Sequence, residues 1–312
     1  MRLKIIYMGT PEFAVPTLEK IINSGYEVAA VITSVDKMGG RGRKQLLESA
    51  VKKFAQKHNI RILQPPNLKN KDFVNELRAI GANLQIVVAF RMLPEVVWNM
   101  PELGTYNLHG SILPKYRGAA PINWAVMNGE KKTGVTFFKL KHEIDTGDIL
   151  CTNELDIDPQ ENASSVHDKM KELAAETVLE GIKMIESGDI VLKEQDGSIV
   201  TKAPKIFKED CKVDFTRTTL ELHNHIRGLA MYPAAWFKMD GVEHKIYEAN
   251  YYTDHVARKA GRILTDNKEY LTISTKDGYI YIKQIQQSGK RRMYIRDFLN
   301  GYRIKSDYLD LD

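Results

Sequence analysis

The sequence predicts a two-domain α/β protein, in which a Rossmann-like parallel sheet is followed by a smaller C-terminal domain with an OB-like β-barrel. Over about the first 150 residues, apolar strand-like runs alternate with amphipathic helical runs, which is the pattern of a parallel sheet. Beyond about residue 235 the runs become short strands separated by turn signals, which is typical of a small antiparallel barrel. The length of 312 residues also exceeds one typical core.

The predicted elements of the N-terminal part follow from these runs. Apolar segments of strand length, and helical segments with apolar residues on one face, alternate along it. We predict strands at 4–8, 28–33, 60–63, 84–90, 104–109 and 135–140, and helices at 13–24, 47–58 and 72–80.

The C-terminal part begins after a long helical run at 164–186, which ends in a polar stretch broken by Gly188 and Gly197. We therefore divide the chain into a first domain at 1–187, a linker at 188–207 and a second domain at 208–312. In the second domain we predict a helix at 218–229 and strands at 235–239, 244–251, 262–264, 270–275 and 279–284.

The composition is that of an ordinary water-soluble protein, with 43% hydrophobic and 27% charged residues. Since the sequence contains neither a secretory signal nor an apolar run of bilayer length, we expect a cytoplasmic protein with no membrane partner. The two cysteines, Cys151 and Cys211, are far apart and support neither a disulfide framework nor a zinc cluster. The net charge of +5 permits an anionic partner without requiring one.

The candidate catalytic residues are Asn107 and His109, at the end of a predicted strand, and Asp145 beyond the next strand. Alternate strand residues point the same way, so Asn107 and His109 are expected on one face of the sheet and Leu108 on the other. An amide donor beside a titratable base is suited to acyl transfer. The alternative is that His109 is only a hydrogen-bonded histidine at a strand end.

Three loops with candidate functional residues follow predicted strands, at 90–93, 107–114 and 142–145. In a parallel sheet, functional groups collect at the carboxyl ends of the strands. We therefore expect these three loops to converge on one edge. The first turn, after Gly9, lacks the glycine spacing of a dinucleotide-binding fingerprint, so a nicotinamide cofactor is not expected.

Two basic segments are candidates for contact with nucleic acid. The glycine-interrupted loop at 36–44 contains Arg41, Arg43 and Lys44, which can contact a phosphate backbone, although a solvated loop would also explain it. The second segment is 290–292, with Tyr294, Phe298 and Tyr302 nearby. Mixed basic and aromatic surfaces suit RNA, but a solvated hairpin end beside core aromatics is the alternative.

Five motifs together resemble the methionyl-tRNA formyltransferase family, within the folate-dependent formyltransferases, over Tyr7 to about Ile304. They are GTPEFAVP at 9–16, GGRGRK at 39–44, NLHGSILPKYRGAAPINWA at 107–125, IDTGD at 144–148 and FLNGYRI at 298–304. The Asn-x-His-Gly-Ser to Asp signature is common to folate-dependent formyltransferases and implies the chemistry. The first turn, the basic loop and the C-terminal domain select the tRNA enzyme.

The resemblance implies transfer of a formyl group from 10-formyltetrahydrofolate to the amino group of methionine on initiator tRNA, by a chain for which a monomer is adequate and no metal is needed. Asn107 and His109 would stabilise the oxyanion, and Asp145 would orient His109 and relay a proton. The residues implied for folate binding are Phe90, Arg91, Met92, Leu93, Ser111, Ile112, Leu113, Pro114, His142, Glu143 and Ile144. Those implied for tRNA binding are Arg41, Arg43 and Lys44, and we add Lys290, Arg291 and Arg292 from the second basic segment.

Two other functions remain open at this stage. A formyltransferase acting on a nucleotide-linked amino sugar would share Asn107, His109 and Asp145 but would not act on aminoacyl-tRNA. A non-catalytic RNA-binding protein with an OB-type module would bind tRNA but leave formylfolate untouched.

Overall fold

A computed structural model describes residues 2–39, 42 and 45–309. By internal contacts the chain forms two compact units. The first unit comprises Met1–Gly118, Gly134–Leu155 and His167–Lys202, and the second comprises Ala119–Thr133, Asp156–Val166 and Ala203–Asp312. Two segments before residue 187 thus pack with the C-terminal part, and most of the stretch predicted as a linker packs with the first unit.

The elements of the N-terminal part, in chain order, are β1 (Lys4–Gly9), α1 (Val15–Asn23), β2 (Glu27–Ile32), β3 (Lys37–Gly39), β4 (Gln45–Leu47), α2 (Ala50–Lys57), β5 (Ile62–Leu63), α3 (Lys71–Ile80), β6 (Leu84–Val88), α4 (Glu95–Trp98), β7 (Thr105–His109), β8 (Arg117–Gly118), α5 (Pro121–Met127), β9 (Lys132–Lys139), β10 (Ile149–Asp156) and α6 (Ala163–Ser187). The remaining elements are β11 (Lys202–Ala203), α7 (Thr219–Leu229), β12 (Ala235–Met239), β13 (Val242–Thr253), β14 (Ile263–Thr265), β15 (Leu271–Ser274), β16 (Gly278–Gln287), β17 (Met293–Tyr294) and α8 (Ile295–Gly301).

A seven-stranded sheet in the order β10-β9-β7-β6-β1-β2-β5 forms the centre of the first unit. The pairings of β1 with β2, β1 with β6, β2 with β5 and β6 with β7 are parallel. Their strands are apolar and mainly buried, because helices cover both faces of such a sheet. The predicted parallel-dominated α/β fold is confirmed.

Strand β9 differs from the prediction because it runs antiparallel to β7. Its last residue, Lys139, pairs with Tyr106 near the start of β7, whereas Thr136 pairs with His109 at the end. The chain therefore leaves β9 beside the start of β7, whereas the loop after His109 begins at the end of β7. The expectation that all three loops follow parallel strands is corrected for 142–145, which comes close to His109 by turning back after β9.

Several local elements also differ from their predicted bounds. The helix predicted at 47–58 begins at Ala50, because residues 45–47 pair with 37–39 as an antiparallel hairpin and Ser49 caps the helix by accepting from Lys52 N. Strand β10 and the short helices α4, α5 and α8 were not predicted. The long helix predicted at 164–186 is present as α6, and none of the described helices has the length and apolarity to cross a membrane.

The second unit contains an antiparallel sheet in the order β12-β13-β16-β15-β14, with β17 paired to β16. Helix α7 packs on β13 and β16, and its apolar residues Leu222, Ile226 and Leu229 join the core of this sheet. A capping box at Thr218 begins the helix. The predicted C-terminal β domain is confirmed.

Candidate active site

Strand β7 places Asn107 and His109 on the same face of the sheet, as alternate residues of a strand must lie. Asn107 pairs with Val87 of β6 on one side and Phe138 of β9 on the other, so it lies inside the sheet and not at its edge. His109 is buried, with 6% of its surface exposed. Both side chains are therefore held by buried backbone.

The imidazole of His109 has a defined partner on one nitrogen. Its Nε2 atom lies 2.8 Å from the carbonyl oxygen of Tyr116. Because a carbonyl oxygen only accepts hydrogen bonds, Nε2 carries a proton and donates it to Tyr116. The other nitrogen, Nδ1, faces Asp145, whose Oδ2 atom lies 3.8 Å away.

Asp145 reaches His109 because the loop after β9 turns back towards the sheet. The turn requires a left-handed backbone at Asp145, with φ +56°. It also requires a glycine at position 147, where a Cβ would overlap the carbonyl oxygen of Lys139. The Oδ2 atom of Asp145 accepts a hydrogen bond from Gly118 N at 3.0 Å, which fixes the carboxylate beside the ring.

Two polar groups of this site form no hydrogen bond with any described residue: the side-chain amide of the half-buried Asn107 and the Oδ1 atom of Asp145. Neither is among the fully buried unpaired atoms, so both are accessible to a ligand from solvent. The amide of Asn107 can donate a hydrogen bond to the carbonyl oxygen of a substrate, and Asp145 Oδ1 can accept a proton, both close to the imidazole of His109.

Residues that the sequence did not predict as functional surround His109 and Asp145. Gln195 Nε2 donates to the carbonyl oxygens of Asp145 at 2.9 Å and Gly147 at 2.8 Å, and its Oε1 atom accepts from Arg117. Thr201 Oγ1 accepts from Tyr116 N at 2.8 Å. Arg117 lies within one of the motifs quoted above, but Gln195 and Thr201 lie in the predicted linker, whose polar composition gave no signal of a structural role.

The segment at 111–114 forms a tight turn whose polar groups bond within the protein. Ser111 Oγ donates to the carbonyl oxygen of Lys115 at 2.6 Å. Thr136 Oγ1 donates to Ser111 O at 2.8 Å and accepts from Leu113 N at 3.0 Å. Ser111, Leu113 and Pro114 are buried and Ile112 is half-buried, so this segment shapes the wall next to His109.

The segment at 90–93 follows β6, the parallel neighbour of β7, and so begins at the edge where β7 ends. Phe90 is half-buried and Leu93 buried. The Arg91 guanidinium donates to the carbonyl oxygens of Pro65 and Pro66 and lies 5.7 Å from the centre of the Phe90 ring. The side chain of Met92 is 72% exposed.

The residues preceding Asp145 are exposed to solvent. They are His142, Glu143 and Ile144, and Ile144 is 61% exposed although it is apolar. Thr146 Oγ1 donates to the carbonyl oxygen of Glu143 at 3.1 Å, which closes the turn. This loop therefore presents an apolar side chain next to the His109–Asp145 pair without burying it.

The predicted tRNA-contacting residues fall into two groups. Arg41, Arg43 and Lys44 lie outside the described residues, between the exposed strands β3 and β4. Lys290, Arg291 and Arg292 are exposed in the turn between β16 and β17 of the second unit. The Arg292 guanidinium lies 5.1 Å from the centre of the Tyr247 ring, so it is held by a cation–π contact.

The thiol of the first unit is not suited to nucleophilic catalysis. Burial, with a contribution from the nearby Glu180 carboxylate, raises the pKa of Cys151 to about 12. Because the thiolate is the nucleophilic form, Cys151 is inert at neutral pH. The candidate catalytic groups remain the amide of Asn107, the imidazole of His109 and the carboxylate of Asp145.

Comparison with known proteins shows which family this chain is similar to. Profiles described as formyl transferase and formyl transferase C-terminal domain match residues 1–182 and 205–303. The methionyl-tRNA formyltransferase of Flavobacterium johnsoniae is 48% identical over 305 residues, which cover 96% of each chain.

Two solved structures share the fold at 20% sequence identity. HypX from Aquifex aeolicus, solved with tetrahydrofolic acid, has a TM-score of 0.66 over 99% of this chain and 51% of its own. WlaRD, a sugar 3N-formyl transferase solved with dTDP and 5-N-formyl-THF, has a TM-score of 0.68 over 93% of this chain and 100% of its own. With matched profiles over both parts of the sequence and a relative similar over nearly its full length, this chain belongs to the formyl transferase family.

Proposed function

We propose that this chain transfers the formyl group of 10-formyltetrahydrofolate to the amino group of methionine on initiator tRNA. The observation that carries the proposal is the unpaired amide of Asn107 on the same strand face as His109, with Asp145 3.8 Å from the imidazole. The relative described above, similar from end to end, supports the tRNA acceptor. Because the product serves translation initiation, the proposal places the protein in the cytoplasm, acting as a single chain.

In the proposed reaction, the methionine amine forms a bond to the formyl carbon and the carbonyl oxygen becomes an oxyanion. Asn107 donates its side-chain N–H to that oxygen, and a protonated His109 adds a charge-assisted hydrogen bond. The proton lost by the amine passes to Asp145, whose Oδ1 atom is unpaired among the described residues. When the bond from the formyl carbon to the folate nitrogen breaks, that nitrogen takes up the proton held by Asp145, which restores the carboxylate.

For the folate substrate, we propose the segments at 90–93, 111–114 and 142–144 as its binding surface. A flat pterin needs apolar walls and backbone donors and acceptors. The exposed apolar side chains of Met92 and Ile144, and the buried turn at 111–114, supply such walls. Burying Met92 and Ile144 against the ligand would remove apolar surface from water, which favours binding.

For the tRNA substrate, we propose contacts from Arg41, Arg43 and Lys44 and from Lys290, Arg291 and Arg292. We expect Arg41→Ala to raise the KM for Met-tRNA while leaving the KM for the formyl donor unchanged, because a phosphate contact acts on one substrate only. Steady-state kinetics with each substrate varied in turn measures both values. Raising the salt concentration should weaken tRNA binding steeply in the wild type and less steeply in the variant. Equal loss for both substrates would contradict the assignment.

The experiment that tests the function is transfer of a labelled formyl group from 10-formyltetrahydrofolate to charged initiator Met-tRNA. Uncharged tRNA and His109→Ala protein are the controls. Transfer that depends on both the methionine and His109 supports the acceptor and the site together. Folate binding without transfer to tRNA would overturn the acceptor and direct the search to amino sugars. Absence of folate binding would overturn the chemistry itself.

A further inference from the structure

We propose that Gln195 is a positioning residue that holds Asp145 in place beside His109. This inference rests on the proposed function, since it gives Gln195 a role through the His109–Asp145 pair. Gln195 itself is half-buried in the polar segment after α6 and belongs to the first unit, as do the residues that it contacts.

The side-chain amide of Gln195 joins two loops of the site. Its Nε2 atom donates to the carbonyl oxygens of Asp145 at 2.9 Å and Gly147 at 2.8 Å, on either side of Thr146. Its Oε1 atom accepts from Arg117 Nε at 3.1 Å and Nη2 at 2.6 Å. Both N–H groups of the amide thus hold the Asp145 loop, and its oxygen holds the segment after Tyr116.

The segment held by Arg117 is the one that contacts both members of the catalytic pair. The carbonyl oxygen of Tyr116 accepts from His109 Nε2, and Gly118 N donates to Asp145 Oδ2. Backbone bonds fix the same segment to the polar chain around Gln195, since Arg117 N donates to Thr201 O at 3.0 Å. Gln195 therefore sets the position of Asp145 relative to the residues that orient the imidazole.

Asp145 needs such support because its backbone lies in the left-handed region, with φ +56°. Aspartate tolerates this conformation better than most residues with a Cβ, but the conformation still has a cost that the surroundings must offset. The hydrogen bonds from Gln195 to the carbonyl oxygens of residues 145 and 147 bracket the turn. Without them the loop can relax, and Asp145 would move away from His109.

The test begins with Gln195→Glu, which keeps the size of the side chain and the acceptor for Arg117 but removes both N–H donors. We expect kcat to fall by roughly 10- to 100-fold, because a displacement of about 1 Å at a reacting group has effects of this size. The KM for Met-tRNA should not change. Asn83→Asp is the matched control, because it likewise removes an amide donor and keeps the acceptor: Asn83 donates to Arg2 O and accepts from Lys4 N in the same unit, but lies before β6. It should keep the wild-type kcat.

A double-mutant cycle with Asp145→Ala separates positioning from a general structural role. If Gln195 acts through Asp145, Gln195→Glu has no further effect on kcat in the Asp145→Ala background. If the losses of kcat from the two substitutions were additive in free energy, this inference would be overturned and the proposed function would stand. The same holds if Gln195→Glu alone had a normal kcat while Asp145→Ala lowered it. An Asp145→Ala enzyme with the kcat of the wild type, in place of a reduced but measurable kcat, would overturn the role of Asp145 itself, and with it that of Gln195.

Discussion

Each of the two units contains buried histidines, but the residues around these histidines differ between the units. In the first unit, His109 donates to a backbone carbonyl and has a carboxylate 3.8 Å from its other nitrogen. In the second unit, His223 and His225 on α7 each have one ring nitrogen with no partner among the described residues. The charged side chain with the largest effect on the pKa of each is an arginine. Burial alone therefore does not single out His109 as the candidate catalytic histidine.

The surroundings of the two histidines on α7 set their protonation. Burial, and the positive charge of Arg227 near His223 and of Arg217 near His225, lower the pKa of both residues to about 4. They are neutral at physiological pH and pack like apolar rings, as the contact of His223 with Tyr251 at 4.5 Å between ring centres illustrates. A carboxylate partner and a nearby unpaired amide distinguish His109 from them.

The largest expected effect comes from removing the first of these histidines. We expect His109→Ala to lower kcat by about 100- to 1,000-fold, because a donor to the developing oxyanion is lost. The melting temperature should fall as well, because the carbonyl oxygen of Tyr116 loses its donor, so kcat is expressed per folded molecule. His225→Ala should also lower the melting temperature but keep a normal kcat per folded molecule. Single-turnover formyl transfer and thermal unfolding of both variants make the comparison. A normal rate for His109→Ala would remove the distinction between the two units.

A second large effect is expected at Gly147, in the loop that carries Asp145. A Cβ there would overlap backbone at Lys139, so Gly147→Ala must shift the loop. We expect kcat to fall on the order of 100-fold, since Asp145 moves with the loop. Gly197→Ala is the control, because a Cβ at Gly197 meets no atom within 4 Å. Similar kcat values for the two variants would show that the Asp145 loop need not be fixed.

The histidines of the second unit make a separate prediction about stability at acid pH. Because their pKa is about 4 in the folded protein and near 6.5 when unfolded, the unfolded chain binds more protons between these values. The free energy of unfolding is therefore not reduced by these histidines above pH 6.5, and it decreases as the pH falls from 6.5 towards 4. The loss is on the order of 3 kcal/mol for each histidine.

Denaturant titrations at pH 7 and pH 5 measure this decrease. We expect it to be smaller in His223→Gln and His225→Gln than in the wild type, since glutamine does not titrate. An unchanged difference between the two pH values in both variants would assign the acid sensitivity to other groups.

The sequence predicted the parallel sheet and the placement of Asn107 and His109, because these depend on interactions between residues close in sequence. It did not predict features that depend on contacts between distant residues. The strand period placed Asn107 and His109 on one face, and the alternation of strands and helices predicted the parallel sheet. The antiparallel direction of β9 was missed because a strand's apolar pattern does not encode its direction. Gln195 was missed because its contacts with residues 117, 145 and 147 span 48 to 78 positions and depend on a polar segment without periodicity.

The smallest effect concerns the helix caps, which test whether the two units can be perturbed independently. Thr218 caps α7 in the second unit, and Asn70 caps α3 in the first by accepting from Asp72 N at 2.8 Å. Replacing either by alanine should cost about 1 kcal/mol. In hydrogen exchange at pH 7, we expect Thr218→Ala to lower protection in α7, and Asn70→Ala to lower it in α3. Since neither cap touches the residues around His109, kcat should stay at the wild-type value in both. If each variant lowered protection equally in both helices, the units would unfold as one, and the acid sensitivity of His223 and His225 would extend to the site of His109.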